Sequence, residues 1–451
     1  MSFANKKVVV MGLGLFGGGV GVSKYFASQG ARVLVTDLRA QSQLQESLEA
    51  LKDYPIEFRL GKHCEEDFLD ADLVIVNPGV PDTSPFLQLI QSRNIPMDTE
   101  IHIFMSQVKA PIVGVTGSNG KSTTTAMIEH ILKTAGYRTW LGGNIGCSLL
   151  EQLPEIQAEH RVILELSSFQ LERIQNISPH ISVITNLTPN HLDRHKTMEN
   201  YGKAKQNILR YQKERDFCIL NGKDLEVRSW HSITPAQPMI FGSMEGDVFI
   251  QDEWMIARMQ DKRIPIMQVG EISLPGKVNQ ENAMAAACVG IAQGVPLETI
   301  AQALKTFTGL PHRLQFLGIK AGRKIYEDSD ATTPESTIAA IETLTQPIVL
   351  LAGGSHKGFS YEKLGKAIAK KVKVVILMGE TAPIIEQSIQ PKENIQIIHA
   401  ENIEKAIEYA RNLSAEGDSV VLSPASASFG MFRNFVERAE IFKKFINQYF
   451  I

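Results

Sequence analysis

The chain has 451 residues, of which 43% are apolar and 21% charged, and a formal net charge of −3. That length suits about three domains of ~100–200 residues each, and the slightly negative balance argues against a nucleic-acid binder working through bulk positive charge. Four scattered cysteines (Cys64, Cys147, Cys218, Cys288) form no CxxC, which suits reduced thiols in the cytoplasm rather than a disulfide framework or zinc site, and the glycine-broken apolar start MSFANKKVVVMGLG is expected to be neither a membrane span nor a signal peptide.

Residues 6–11 form a β-rich run that leads into Gly12-Leu13-Gly14-Leu15-Phe16-Gly17, a G-x-G-x-x-G pattern. A helix-compatible stretch to Ser28 follows, then a strand over 31–35 that ends at Thr36-Asp37. Strand, glycines, helix, strand and acid in that order predict a Rossmann-like unit, with Asp37 at the usual ribose-binding place. A third strand is expected over 73–76, ending in the turn Asn77-Pro78-Gly79-Val80, where ligands of open α/β sheets sit. Residues 1–108 are therefore read as one small domain.

Lys109-Ala110-Pro111 reads as a linker, and residues 112–115 as a buried strand. The turn Gly117-Ser118-Asn119-Gly120 follows, and Lys121-Ser122-Thr123 opens a helix to about Ala135. This is the grammar of a phosphate-binding loop: amides approach the phosphates, the helix dipole and lysine offset charge, and a hydroxyl reaches Mg²⁺. The strict pattern wants glycine where Val115 stands. Further strands are expected over 161–166, with Glu165 near its carboxyl end, and 181–185, followed by Pro189-Asn190-His191-Leu192-Asp193-Arg194-His195. Acids and imidazoles at such strand ends are well placed for a nucleotide's metal.

On spacing alone, Lys203 and Lys205, on a helix around 201–211, read as solvated. Residues 217–275 read as short strands with Gly/Asp turns, a small β-rich insert, and the small-residue stretch 282–287 as a closely packed helix start. The middle domain is expected to close near Arg313, giving bounds of 109–313. A third α/β domain, 314–451, follows, with strands over 324–327, 348–351, 372–378, 395–399 and 419–422, and Thr332 or Thr333 capping a helix that has Pro334 in its first turn.

The ordered motifs TGSNGKSTT (116–124), GGNIG (142–146), LELSSFQLE (164–172), TNLTPNHLDRH (185–195), KAKQN (203–207), GLPHR (309–313), DSDATTP (328–334), GGSHKG (353–358) and LSPASASFGMFRNF (422–435) span the chain. Together they resemble the Mur ligases, and within them the glutamate-adding branch. The resemblance implies a three-domain ATP-dependent carbon–nitrogen ligase of peptidoglycan precursor synthesis. It would join glutamate to UDP-N-acetylmuramoyl-L-alanine in the cytoplasm, as a monomer, with no nucleic-acid or membrane partner. The N-terminal domain would then hold UDP rather than NAD. Alternatives are another amino-acid-adding Mur enzyme, a folylpolyglutamate synthase-like ligase, or a dehydrogenase that holds NAD on GLGLFG.

Carried over by motif, the resemblance makes Lys121, Glu165, His191 and Lys205 the catalytic set, with Ser122, Glu165, His191 and Lys205 as Mg²⁺ ligands. Lys205 matches a lysine that is carbamylated in the family, a role its spacing does not suggest. Gly117, Ser118, Asn119, Gly120, Lys121, Ser122, Thr123, Asn279, Asn282, Arg313 and Asp328 would hold ATP. Leu15, Phe16, Asp37, Arg39, Gly79 and Asn144 would hold the UDP substrate, and Thr332, Lys357, Ser428, Phe429 and Phe435 the glutamate. The implied chemistry is attack of a substrate carboxylate on the γ-phosphate, then aminolysis of the acyl phosphate, under domain closure that excludes water. His191 could be a metal ligand or accept the amine proton. Two departures fall in the third domain: Asp330 stands where relatives carry a cation, and Ser355-His356 vary the loop. They leave D- and L-glutamate both open.

Overall fold

Five parallel strands open the chain, in the order 56–60, 32–37, 7–11, 73–76, 97–98. The computed structural model describes residues 3–14, 17–145, 148–274, 276–344, 347–356, 359–393 and 395–451, with the backbone alone for Asp193 and Glu335. Val8, Val9 and Val10 of the central strand are fully buried, because parallel strands joined by helical crossovers are covered on both faces. The strand Ile56–Leu60 precedes the expected third one, so Leu73–Val76 is the fourth in the chain. The 56–60 strand, IEFRL, lies at the sheet edge, half exposed, and so lacks the continuous apolar run that marks a central strand.

The second sheet has nine strands, in the order 262–268, 254–259, 248–251, 237–241, 217–221, 181–184, 112–116, 161–165, 139–143. From 139–143 to 237–241 the paired strands run parallel, and a meander of antiparallel pairs finishes the far edge. The β-rich stretch after 217 thus extends this sheet. Val115 pairs in register with Glu165, and Thr116 with Ile184, so three strands deliver their carboxyl ends to one place. The helix Lys121–Thr134 packs beside the small-residue helix Lys277–Ala292, in which Ala283, Ala285, Ala286 and Ala287 are buried. Small side chains there permit the close helix approach.

These two sheets lie in one compact unit, Met1–Phe307, and a second unit spans Thr308–Ile451. The second holds a six-stranded sheet in the order 315–320, 323–327, 419–422, 348–353, 372–378, 396–399, parallel except for the opening hairpin. Leu350, Leu351, Val375, Ile376 and Val421 fill its core, each worth roughly 1.5–3 kcal/mol of burial. Thr333 caps the helix Pro334–Thr343 through the Ser336 amide, one of the two threonines expected there. No described helix is long and apolar enough to cross a membrane.

Candidate active site

The phosphate loop is shaped before any ligand arrives. Gly117 has φ 147°, and a Cβ there would lie 1.9 Å from Thr185 Oγ1, so no other residue fits. Thr185 Oγ1 donates to the Asn119 carbonyl (2.6 Å), the Asn119 amide donates to Asn186 Oδ1 (2.9 Å), and the Ser118 hydroxyl donates to the Thr188 carbonyl (2.9 Å). The loop is therefore clamped on the end of the 181–184 strand. Gly120 caps the helix that opens with Lys121, Ser122 and Thr123, and these three side chains are half-exposed. Thr124 donates to Asn282 (3.2 Å), which in turn donates to Asn279 (3.3 Å).

Lys121 Nζ donates to the carbonyls of Gly117 (3.1 Å) and Ser118 (3.0 Å). Lys205 Nζ donates to the same Gly117 carbonyl at 2.8 Å, sits 4.6 Å over the Tyr201 ring, and is 1% exposed. The expectation that both helix lysines are solvated is thus corrected for Lys205. Lys203 does stay exposed, in an ion pair with Glu199, whereas Lys205 lies on the face turned into the protein. Burial, then the neighbouring Lys121 charge, push Lys205 down to about 7, against an opposing pull from Glu165. An amine at that value has a substantial free-base fraction, about half, at neutral pH.

Glu165 is 2% exposed. Asn144 donates through Nδ2 to its Oε1 at 2.7 Å, and the Asn144 amide donates to the Glu165 carbonyl at 2.7 Å. Gly143 makes this approach possible, since a Cβ there would lie 2.2 Å from the Glu165 carbonyl oxygen. The other carboxylate oxygen, Oε2, is buried with no hydrogen-bond partner, a costly state for a charged group unless a cation joins it. His191 follows the neighbouring strand in the left-handed region, φ 54°, with its ring 5.0 Å from Phe169 and 6.5 Å from Tyr201. Among the described residues, no group of three His, Cys, Asp or Glu stands ready to hold a metal. The donor set fits Mg²⁺ through the bare Glu165 oxygen and hard oxygen ligands.

Asp37 ends its strand buried, and its Oδ2 accepts the amides of Leu13 (2.9 Å) and Gly14 (3.2 Å), while Oδ1 accepts that of Arg39 (2.9 Å). The Arg39 guanidinium lies 3.4 Å away. The aspartate thus shapes the glycine loop, and Asp37→Ala is expected to cost about 3 kcal/mol of stability, the scale of losing charge-assisted bonds to buried amides, read from urea unfolding. Gly79 lies in the turn after the 73–76 strand, its amide donating to Asn77 Oδ1 (2.9 Å). Leu15, Phe16 and Lys357 lie outside the described residues, as do Gly146 of the GGNIG motif and the Asp193 side chain.

Arg313, Asp328, Thr332, Ser428, Phe429 and Phe435 belong to the second unit. There, Asp328 accepts from Ser423 Oγ (2.6 Å) and the Leu314 amide (2.8 Å), and burial pushes its carboxyl up to about 7. Arg313 pairs with Asp330 at 2.9 Å, so the charge-reversed position has a counter-ion within its own unit. The Ser355 amide donates to the Ala427 carbonyl (2.9 Å), which joins the GGSHKG loop to the loop bearing buried Ser428 and half-exposed Phe429. Phe435 packs edge-on to His312 (5.7 Å). Thr332 turns back on Asp330 through its amide (2.8 Å).

Sequence reasoning did not single out Tyr201, whose ring lies under Lys205 and whose hydroxyl is 3.2 Å from Ser118 Oγ. Asn221, which donates to the Thr185 carbonyl (2.8 Å), escapes it too. Neither stands in a glycine-rich or acidic motif, so only the fold reveals them.

Models of three families match the chain: the Mur ligase MurD-like N-terminal domain over residues 6–98, the Mur ligase middle domain over 115–290, and the Mur ligase glutamate ligase domain over 312–426. The UDP-N-acetylmuramoylalanine–D-glutamate ligase of Symbiobacterium thermophilum is 39% identical, covering 98% of each chain. That of Alkaliphilus oremlandii is 37% identical, covering 99% of each. Among solved structures, the UDP-N-acetylmuramate–alanine ligase of Thermotoga maritima shares the fold with a TM-score of 0.59 at 19% identity, over 98% of this chain and 99% of that one. The Thermotoga maritima MurF ligase in complex with ADP gives 0.54 at 16%, over 93% and 95%. This chain belongs to the Mur ligases, in the family of the UDP-N-acetylmuramoylalanine–D-glutamate ligases.

Proposed function

We propose that this chain is an ATP-dependent ligase that adds D-glutamate to UDP-N-acetylmuramoyl-L-alanine in peptidoglycan precursor synthesis. The observation that carries the reading is the convergence of Lys121, Lys205 and the bare Glu165 oxygen on one clamped phosphate loop, in a chain whose relatives bear that enzyme's name. We assign residues 1–108 to the UDP substrate, 109–313 to ATP and 314–451 to glutamate, in a monomer of the cytoplasm.

In this reading the amides of residues 117–123 and Lys121 hold the β- and γ-phosphates, with Asn279, Asn282, Arg313 and Asp328 on the rest of the nucleotide. Ser122, Glu165, His191 and a carbamate on Lys205 would hold Mg²⁺, which supplies charge neutralisation for the transferring phosphoryl group. The glycine loop shaped by Asp37, with Leu15, Phe16, Arg39, Gly79 and Asn144, receives the UDP substrate and orients its carboxylate for attack on the γ-phosphorus. Thr332, Lys357, Ser428, Phe429 and Phe435 surround the glutamate, whose amine then attacks the acyl carbon as phosphate leaves. An imidazole is a suitable acceptor for the amine's proton, so His191 would serve there if it is not a ligand of the ion.

The test is phosphate release from ATP with UDP-N-acetylmuramoyl-L-alanine and each glutamate enantiomer. D-glutamate is expected to drive release at least ~100-fold faster than L-glutamate, because a site built for the ammonium and two carboxylates arranged about one chiral carbon leaves polar groups unpaired with the other enantiomer. Equal or greater release with L-glutamate overturns the stereochemistry. Release with neither enantiomer overturns the ligase reading.

A further inference from the structure

The loop that carries His191 is tied to the N-terminal sheet by polar groups to which the roles above give no task. Arg194 donates to the carbonyls of Pro78 (2.7 Å) and Val80 (3.4 Å), lies 4.3 Å over the Phe169 ring, and pairs with Glu172 Oε2 at 3.4 Å. The other oxygen of Glu172 stands 3.0 Å from His195 Nδ1, and His195 Nε2 stands 2.9 Å from Ser168 Oγ. Arg173 adds a second tie, donating to the Val80 carbonyl (3.0 Å) and to Asp82 (2.6 Å). The His195 ring stacks on Phe169 at 5.3 Å and leans on Tyr201 at 5.1 Å, the ring that also carries Lys205.

His195 and Ser168 are both buried, so this Ser–His–Glu order is not a nucleophile and its base. The Glu172 carboxylate gives the ring a charge partner on its Nδ1 side, and Nε2 shares a hydrogen bond with the Ser168 hydroxyl. Burial raises the Glu172 carboxyl, and the two arginines work against that rise. A carboxylate, an imidazole and two guanidiniums are an expensive filling for a site that apolar side chains could occupy. What such a network provides instead is one fixed register between the parts it joins.

We propose that Glu172 and His195 are positioning residues: with Arg194 they brace the His191 loop against loop 78–82, so that substrate seated on the N-terminal loops meets a correctly placed His191. The kinetic consequence rests on the ligase reading, whereas the brace itself does not. His195→Phe keeps the stacking and removes both polar contacts. It is expected to lower kcat about 30-fold, within the ~100-fold range that a misplacement near 1 Å can cost, with the KM for ATP held within about threefold. Amide hydrogen exchange should quicken in both 190–197 and 78–82. Glu172→Leu should reproduce this, Glu172→Gln, which keeps an acceptor for Nδ1, should restore kcat to within about threefold of the parent, and the His195→Phe/Glu172→Leu double variant should be no worse than either single one.

Unchanged exchange at 78–82, additive kinetic losses, or a loss confined to the KM for ATP would each overturn the proposal. If His195→Phe melts below the assay temperature, the contrast between Glu172→Leu and Glu172→Gln decides in its place. Absence of glutamate-dependent turnover in the parent protein sinks the ligase reading alone, and the exchange measurement still tests the brace.

Discussion

Lys205→Ala is expected to lose at least ~10³-fold in glutamate-dependent phosphate release and to recover part of it with added short-chain carboxylates. The magnitude follows from removing one electrostatic element of a phosphoryl-transfer site. The rescue follows from chemistry: a carbamate on lysine is a carboxylate on a tether, and a small free carboxylate can occupy the space that truncation leaves. Lys205 is suited to that modification because its amine is held down to about 7 by burial and by Lys121, and only a free-base amine attacks CO₂. The parent enzyme should accordingly lose activity when bicarbonate is stripped from the buffer. Full activity in the alanine variant, or loss without rescue, refutes the carbamate.

The same residue makes a second prediction of opposite sign. In the unfolded chain a lysine titrates near 10.4, so between about 7 and that value the unfolded state binds more protons than the folded one. Stability of the unmodified protein therefore rises with pH through that window, and the penalty of burying the amine is fully present below pH 7. Lys205→Met, which fills the same space without the charge, should melt several degrees higher at pH 6.5 and show a flatter pH dependence above 7, although it is inactive. A stability gain paired with lost function is what a strained functional group predicts. Equal melting temperatures at pH 6.5 would count against a buried ammonium.

Lys205 also marks the boundary of what the sequence could disclose. The glycine loops, the buried strands 112–116 and 348–353 and the small-residue helix were legible because each has a local signal: a turn residue with a conformational duty, a continuous apolar run, or a patch that must pack closely. The five-residue edge strand 56–60 was not, since its alternation is blurred by solvent on both faces. Burial of one lysine and exposure of another two positions away depends on which helix face meets the phosphate loop, and spacing alone could not decide that. Asp37 shows the converse. Its position suggests a ribose contact, and its oxygens also take the loop's own amides, a bond pattern invisible until the loop is folded. The three-residue chain Ser168–His195–Glu172 joins positions up to 27 apart, and no local pattern links them.

Glu165→Gln is expected to lower activity at least ~10³-fold while the protein melts within a few degrees of the parent. The change is nearly isosteric, and the amide oxygen can still accept from Asn144, so the 161–165 strand and the Gly143 approach should persist. What disappears is the charge on the bare oxygen, which acts on Lys205 and would help to hold an added cation at the phosphate loop. In the amide, an N–H₂ group stands where that oxygen was, and a donor repels a cation that an acceptor would hold. Binding gives a readout independent of turnover. ATP with Mg²⁺ should raise the parent's melting temperature more than ATP alone, by the linkage between ligand affinity and stability, and the glutamine variant should lose that Mg²⁺-dependent increment while keeping the part that ATP supplies through Lys121 and the loop amides. Loss of both increments would mean that Glu165 supports the loop rather than the ion. Retention of both, with activity within tenfold of the parent, would remove Glu165 from the site altogether.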